Sequence, residues 1–171
     1  MVLRSRRPLT AELCSVALFR DCSTRELRRI ARLATGVDIP AGRVLCVQGA
    51  VGAEFFVILR GSAWVERCGN RIAYLGPGEA FGEIALLSRA GGSQRTATVV
   101  AADPMTVLVF SRAEFNTLIR SVPTVARRLQ ERVSTVALSI AGERMRQASG
   151  SESEPKVVAT TANGSIVTLI R

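Results

Sequence analysis

Between Gly76 and Val100 the chain reads GPGEAFGEIALLSRAGGSQRTATVV, and an acid, Glu83, and a base, Arg95, carry its chemistry. Phe81-Gly82-Glu83 leaves a strand region and runs into the helix-forming residues Ile84-Ala85-Leu86-Leu87. The first backbone N–H groups of such a run have no partner within it, and free donors of that kind attract an anion. Glycine at position 82 lets a ligand approach the backbone closely. A carboxylate at 83 repels a phosphate placed there unless it is bonded elsewhere, and a sugar hydroxyl is a donor that resolves the conflict. Arg95 supplies the counter-cation. It sits beside Thr96, Ala97, Thr98, Val99 and Val100, on a strand expected to face the core, where an unpaired guanidinium is costly. A phosphate held bidentately satisfies it, and so does an ion pair with Glu83 that involves no ligand. The residues by themselves leave both readings open.

Composition removes the main competing chemistries. The chain has no histidine, which takes away the commonest general base and the Ser-His and Cys-His pairs. Cys14, Cys22, Cys46 and Cys68 form no CxxC pair, so they read as scattered thiols of a cytoplasmic protein rather than a zinc site. A binding protein is expected, with no catalytic residue, no metal and no cofactor beyond its ligand. The net charge of +9 comes from 22 arginines and one lysine, Lys156, against 14 acids. Such a balance is compatible with nucleic acid, but the arginines are spread over helix faces and turns, as on a solvated basic surface. No apolar run approaches the roughly 18 residues of a membrane span, and none follows Arg4, Arg6 and Arg7 as a secretory signal requires.

The elements that must position the two charged residues are short. Residues 10 to 35 read as helical, with a capping box at Ser23 and Glu26 ahead of Leu27, Ile30, Leu33 and Ala34. From Val37 to Phe110 the period changes to strands at Val44 to Val47, Phe55 to Leu59, Ala63 to Val65, Ile72 to Leu75, Ala97 to Ala101 and Met105 to Phe110. Glycines 42, 49, 52, 61 and 69 and the Gly76-Pro77-Gly78 run punctuate them, a spacing that suggests a double-sheet jelly roll or barrel. Ser111 and Glu114 make a second capping box, and Pro123 opens a longer helix. Along it Val122, Ala126, Leu129, Val133, Val136 and Ile140 form a short heptad seam, read as a homodimer contact through Val122 to Ile140 in preference to packing against the same chain. The Ser/Gly/Glu-rich stretch 147–155 reads as a linker, followed by a hairpin around Asn163-Gly164. The fold expected is therefore α+β: a β jelly roll, or double-stranded β-helix, flanked by N-terminal helices and a long C-terminal helix. Its parts are a basic extension at 1–12, a domain at 13–146 and a linker with hairpin tail at 147–171.

FGEIALL followed by RTATV closely resembles the phosphate-binding cassette of the cyclic nucleotide-binding domain family. Ile39-Pro40-Ala41-Gly42, Gln48-Gly49, the Glu54 to Leu59 run and Gly61 also resemble the family's upstream strands, so the likeness covers about residues 13 to 135. The resemblance implies that Glu83 holds the ribose 2′-hydroxyl and Arg95 the cyclic phosphate, with Phe81 and the backbone of Gly82, Ile84 and Ala85 assisting. It implies that Thr96 faces the phosphate or base, and that a side chain of the last helix, Leu129 or Val133, covers the base. The loop Ser88 to Gln94 is longer than is common in the family. A loop tolerates such an insertion cheaply, so Arg95 is expected to keep its register. The function implied is a cytoplasmic sensor of cyclic AMP or cyclic GMP that relays binding through its C-terminal helix to an unknown effector protein. A ligand-independent interaction or dimerisation module is the alternative. A transcription regulator of the catabolite activator type is a third, disfavoured because 147–171 does not read as a DNA-recognition helix, so no nucleic acid is expected to bind this chain alone.

Overall fold

In the computed structural model, residues 5–6, 10–87, 94–134, 158–160 and 166–168 are described. The run Glu54–Arg60 (β4), EFFVILR, is apolar at successive positions because both of its faces are covered. Phe55 and Val57 face a helical layer, while Phe56 and Ile58 face a second sheet. Its antiparallel neighbour Met105–Ser111 (β9) alternates in the same way, with Leu108 and Phe110 toward the helices and Met105 and Val107 toward the other sheet.

Around these two strands the first sheet has the order β1-β2-β9-β4-β7, where β1 is Ser5–Arg6, β2 is Thr35–Ile39 and β7 is Ala80–Phe81. The second has the order β3-β8-β5-β6, from Val44–Cys46, Thr98–Ala101, Ala63–Arg67 and Asn70–Leu75. Ile39, Phe56, Ile58, Phe81, Met105 and Val107 of the first sheet meet Cys46, Ala63, Val99 and Ala101 of the second in one apolar layer. The jelly-roll class read from the turn spacing is thus what the chain forms.

The helices cover the outer face of the first sheet. They are Thr10–Cys14 (α1), a 3-10 turn at Ala17–Phe19, Thr24–Leu33 (α2), Arg112–Ser121 (α4) and a helix over 123–134 (α5); Glu83–Leu87 is α3. Both expected capping boxes are present, Ser23 with Glu26 and Ser111 with Glu114. The helix expected across 10 to 35 is broken, however. Ser23 adopts extended backbone to cap α2, and Ala34 is extended at its end, so that β-branched Thr35 begins β2. Ser5 and Arg6, in the segment read as an extension, pair with Val37 and Gly36 of β2 and so belong to the first sheet.

The heptad seam has a different use over its first turns. Of the seam, Val122 and Leu129 are fully buried in one core with Leu13, Phe19, Ile30 and Phe115 of the same chain, as is Val125 beside it, while Ala126 and Val133 are half-buried. Val122 and Leu129 thus follow the intramolecular reading, which corrects the expectation of a dimer contact at those two residues; Val136 and Ile140 lie outside the described residues. Val158–Thr160 (β10) and Ile166–Thr168 (β11) pair antiparallel, with Ala159 opposite Val167, and the turn expected at Asn163-Gly164 lies outside the described residues.

Phe55 locks the helical layer to the sheet, its ring 5.0 Å from that of Phe115 on α4 and 5.6 Å from that of Phe110 on β9. Phe55→Ala is expected to cost about 3 to 5 kcal/mol of unfolding free energy, read as a lower urea midpoint with little change in slope.

Candidate functional site

β7 ends at Phe81, and the chain then turns through Gly82, at φ +90°, into α3. On the other side of this turn lies Arg95, only 6% exposed. It is held before β8 begins rather than on that strand, as the sequence reading had it. Its backbone N–H donates to the Ala50 carbonyl at 2.8 Å and its carbonyl accepts from Gly49 N–H at 2.9 Å. With the bridge between Val51 and Gln94, these bonds fix the register of Arg95 independently of residues 88–93, which lie outside the described residues along with Arg89.

The guanidinium is clasped from several directions. Nη1 donates to the Gly82 carbonyl at 3.1 Å, Nη2 donates to Glu54 Oε2 at 3.1 Å, and the group lies 5.7 Å from the centre of the Phe56 ring. Phe56 in turn stacks on Phe81, with ring centres 4.8 Å apart. The clasp depends on two glycines. A Cβ on Gly52 would lie 2.8 Å from Arg95 Nε and 2.7 Å from Ala85 Cβ, and one on Gly82 would lie 2.5 Å from Arg95 Nη1 and 2.8 Å from the Glu54 carbonyl oxygen.

Glu83, at the start of α3, is 4% exposed, and its Oε2 has no hydrogen-bond partner. Burial pushes its carboxyl above the ordinary carboxylate range, opposed by the Arg132 guanidinium, its own backbone N–H and Arg95. The ion pair between Arg95 and Glu83 weighed from the sequence is therefore not the one formed. Glu54 takes the arginine, and Glu83 is left with an orphaned oxygen aimed at no donor.

Phe81, Gly82, Glu83, Ile84, Ala85, Arg95 and Thr96 lie on the β7-α3 segment and the approach to β8, with Glu83 and Arg95 coupled through their charges. Thr96 is half-buried in the bend after Arg95. Leu129 is not brought to the site, because it is fully buried in the helical core, which corrects its role as a base cover; Val133 is half-buried one turn further on. Sequence reasoning missed four participants. Glu54 was visible only as the one acid heading an apolar strand, and Gly52 only as punctuation. Arg132 had no signal at all: from α5 it donates to the Ala80 carbonyl at 3.0 Å, beside the cassette. Arg112, at the start of α4, donates to the Gly52 carbonyl at 2.6 Å and steadies that side. A rigid cation with one replaceable partner, next to a buried acceptor lacking a donor, can take an anion and a hydroxyl together. Among the described residues no group of three or more His, Cys, Asp or Glu side chains could hold a metal ion, and no helix is long and apolar enough to cross a membrane.

The family described as cyclic nucleotide-binding domain matches residues 37–122. A cyclic nucleotide-gated potassium channel of Rhizobium etli is 34% identical over 119 residues, 70% of this chain and 32% of the channel. The cyclic nucleotide-gated channel beta-3 of Mus musculus is 30% identical over 132 residues, 75% of this chain and 19% of the channel. The chain thus spans about a third or less of these relatives. The crystal structure of the Thermus thermophilus catabolite activator protein superposes with a TM-score of 0.66 at 28% identity, covering 78% of this chain and 63% of that one.

Two outcomes follow from the site. Gly82→Ala forces a side chain into a left-handed backbone and against the Glu54 carbonyl; it is expected to cost about 1 to 3 kcal/mol and to displace Arg95, read by chemical denaturation. For Glu83 the raised pKa means that the folded chain keeps a proton the unfolded chain has released. Stability on its account is full below the ordinary carboxylate range and falls as pH rises through the raised value. Glu83→Gln removes that loss, so its melting temperature should exceed that of the unliganded wild type at pH 7, with the gap closing toward pH 4, at roughly 2 to 4 °C per kcal/mol.

Proposed function

The chain belongs to the cyclic nucleotide-binding domain family, and from that premise we propose that it is a regulatory sensor of cyclic AMP or cyclic GMP. The observation that carries the reading is the pairing of a buried, fixed Arg95 with a buried Glu83 whose Oε2 lacks a donor. A cyclic phosphate takes the arginine's outward edge, displacing Glu54, and the ribose 2′-hydroxyl donates to Glu83. Ile84 and Ala85 contribute backbone at the first turn of α3, and Thr96 lies on the side from which a base enters.

Binding is read out at α5. Arg132 reaches from that helix to the Ala80 carbonyl and its charge acts on Glu83, so the ionisation of the ligand-binding acid is felt on the helix that leaves the domain. In this reading the chain performs no reaction, works on the cytoplasmic side, and passes its signal to another protein or to further segments of a longer one. The channel relatives, in which the matched region is a minor part of the length, support the second arrangement.

One observation favours a second reading. Arg95 is paired with Glu54 inside the chain, a pairing that an interaction module taking no ligand also requires. Calorimetric titration with cyclic AMP and cyclic GMP separates the two. The sensor predicts micromolar or tighter binding to at least one nucleotide, weakened at least about a hundredfold in Arg95→Ala, since a buried charge-assisted contact is lost. No heat with either nucleotide gives the chain to the ligand-free module.

A further inference from the structure

We propose that Glu54 sets the charge selectivity of this anion pocket, admitting monoanionic phosphodiesters and rejecting dianionic phosphomonoesters of the same nucleoside. The inference rests on the nucleotide-binding reading and adds to it a residue that selects by charge rather than by shape.

The two terminal nitrogens of Arg95 are held unequally. Nη1 is bonded to the Gly82 carbonyl, a neutral backbone group whose position is fixed by the left-handed turn. Nη2 is bonded to Glu54 Oε2, and the exposures of the two side chains differ widely, 5% for Arg95 against 48% for Glu54. Arg95 has nowhere to go, because Gly52, Gly82 and the Phe56 ring enclose it. The Glu54 carboxylate can rotate into water about its own side-chain bonds, while its backbone stays pinned opposite Ser111 of β9.

An arriving phosphate therefore exchanges with Glu54 on Nη2, and the displaced carboxylate stays tethered nearby. Repulsion between them scales with the product of their charges. A cyclic phosphodiester carries one negative charge, whereas a phosphomonoester carries about 1.5 to 2 at neutral pH. The other guanidiniums at the rim, Arg112 and Arg132, are bonded to the Gly52 and Ala80 carbonyls, and Glu83 adds a second acid to the pocket. Without Glu54 the pocket has a cation for either ester; with it, the extra charge of the monoester meets a carboxylate already in place.

The test measures binding of cyclic AMP and 5′-AMP, by calorimetry at pH 7.5 and low salt, to the wild type, Glu54→Gln, Glu54→Asp and Arg95→Ala, after melting curves establish that each is folded. Glu54→Gln is expected to bind the cyclic diester on the order of tenfold tighter and the monoester on the order of a hundredfold tighter, because the gain in log affinity scales with ligand charge. Glu54→Asp keeps the charge and is expected to keep wild-type discrimination. Equal gains for the two nucleotides in Glu54→Gln, or discrimination lost in Glu54→Asp as fully as in Glu54→Gln, would overturn the proposal. Wild type that binds both nucleotides equally also overturns it, while leaving the sensor reading intact. Wild type that binds neither, beside a Glu54→Gln variant that binds both, means that Glu54 excludes the diester as well, and it overturns the proposal together with the sensor reading. Failure of every variant to bind either nucleotide defeats both.

Discussion

A guanidinium taken out of water must find acceptors on every side it presents, since an unpaired buried charge is among the costliest things a fold can contain. Arg95 meets that demand with one carbonyl, one carboxylate and the face of an aromatic ring. They come from two elements: the β7-α3 turn gives the carbonyl, and β4 gives the carboxylate at its head and the ring beyond it. The pocket is accordingly a meeting point of strands far apart in sequence, and its geometry is only as good as their pairing. Gly49 and Ala50 grip the backbone of Arg95 from the loop before β4, so the arginine is positioned by two independent attachments, main chain and side chain.

The pairing is secured by β4 and β9. Because both strands are apolar on both faces, a slip of one residue would exchange one buried set for another of similar hydrophobicity, and alternation alone would not fix the register. Aromatic packing ties each face to its neighbours. The rings of Phe55 and Phe110 pack with Phe115 in the helical layer, whereas Phe56 stacks on Phe81 on the opposite face. The same arrangement places Phe56 beside the guanidinium, so a residue of the inter-sheet core also forms one wall of the site.

Much of this was legible in the sequence where the chemistry is local. Capping boxes announce themselves within four residues, strand runs are bounded by their own glycines, and an arginine among small apolar residues signals a buried cation without any partner being known. What escaped was non-local. The acid that pairs with Arg95 lies 41 positions away, and nothing in the spacing favours Glu54 over Glu83. Arg132 is 52 positions from the carbonyl it contacts, on a helix whose charged residues look alike in sequence. The apolar seam of α5 misled for a related reason: periodicity says that a stripe must be covered, and only the tertiary structure says that Leu13, Phe19 and Phe115 cover its first turns.

Glu83 and Arg132 give the site a way to be more than a trap. A buried carboxyl with an orphaned oxygen is a local cost, and a hydroxyl donor placed beside it would remove that cost. The ionised acid attracts Arg132 more strongly than the protonated one, and Arg132 belongs to α5. Under the proposed sensor reading, Glu83 is where ligand and α5 meet, since Arg132 reaches from that helix to the Ala80 carbonyl and its charge acts on the acid. Coupling between two sites is reciprocal, so on that reading any effect of the ligand on α5 is matched by an equal effect of α5 on the ligand's affinity.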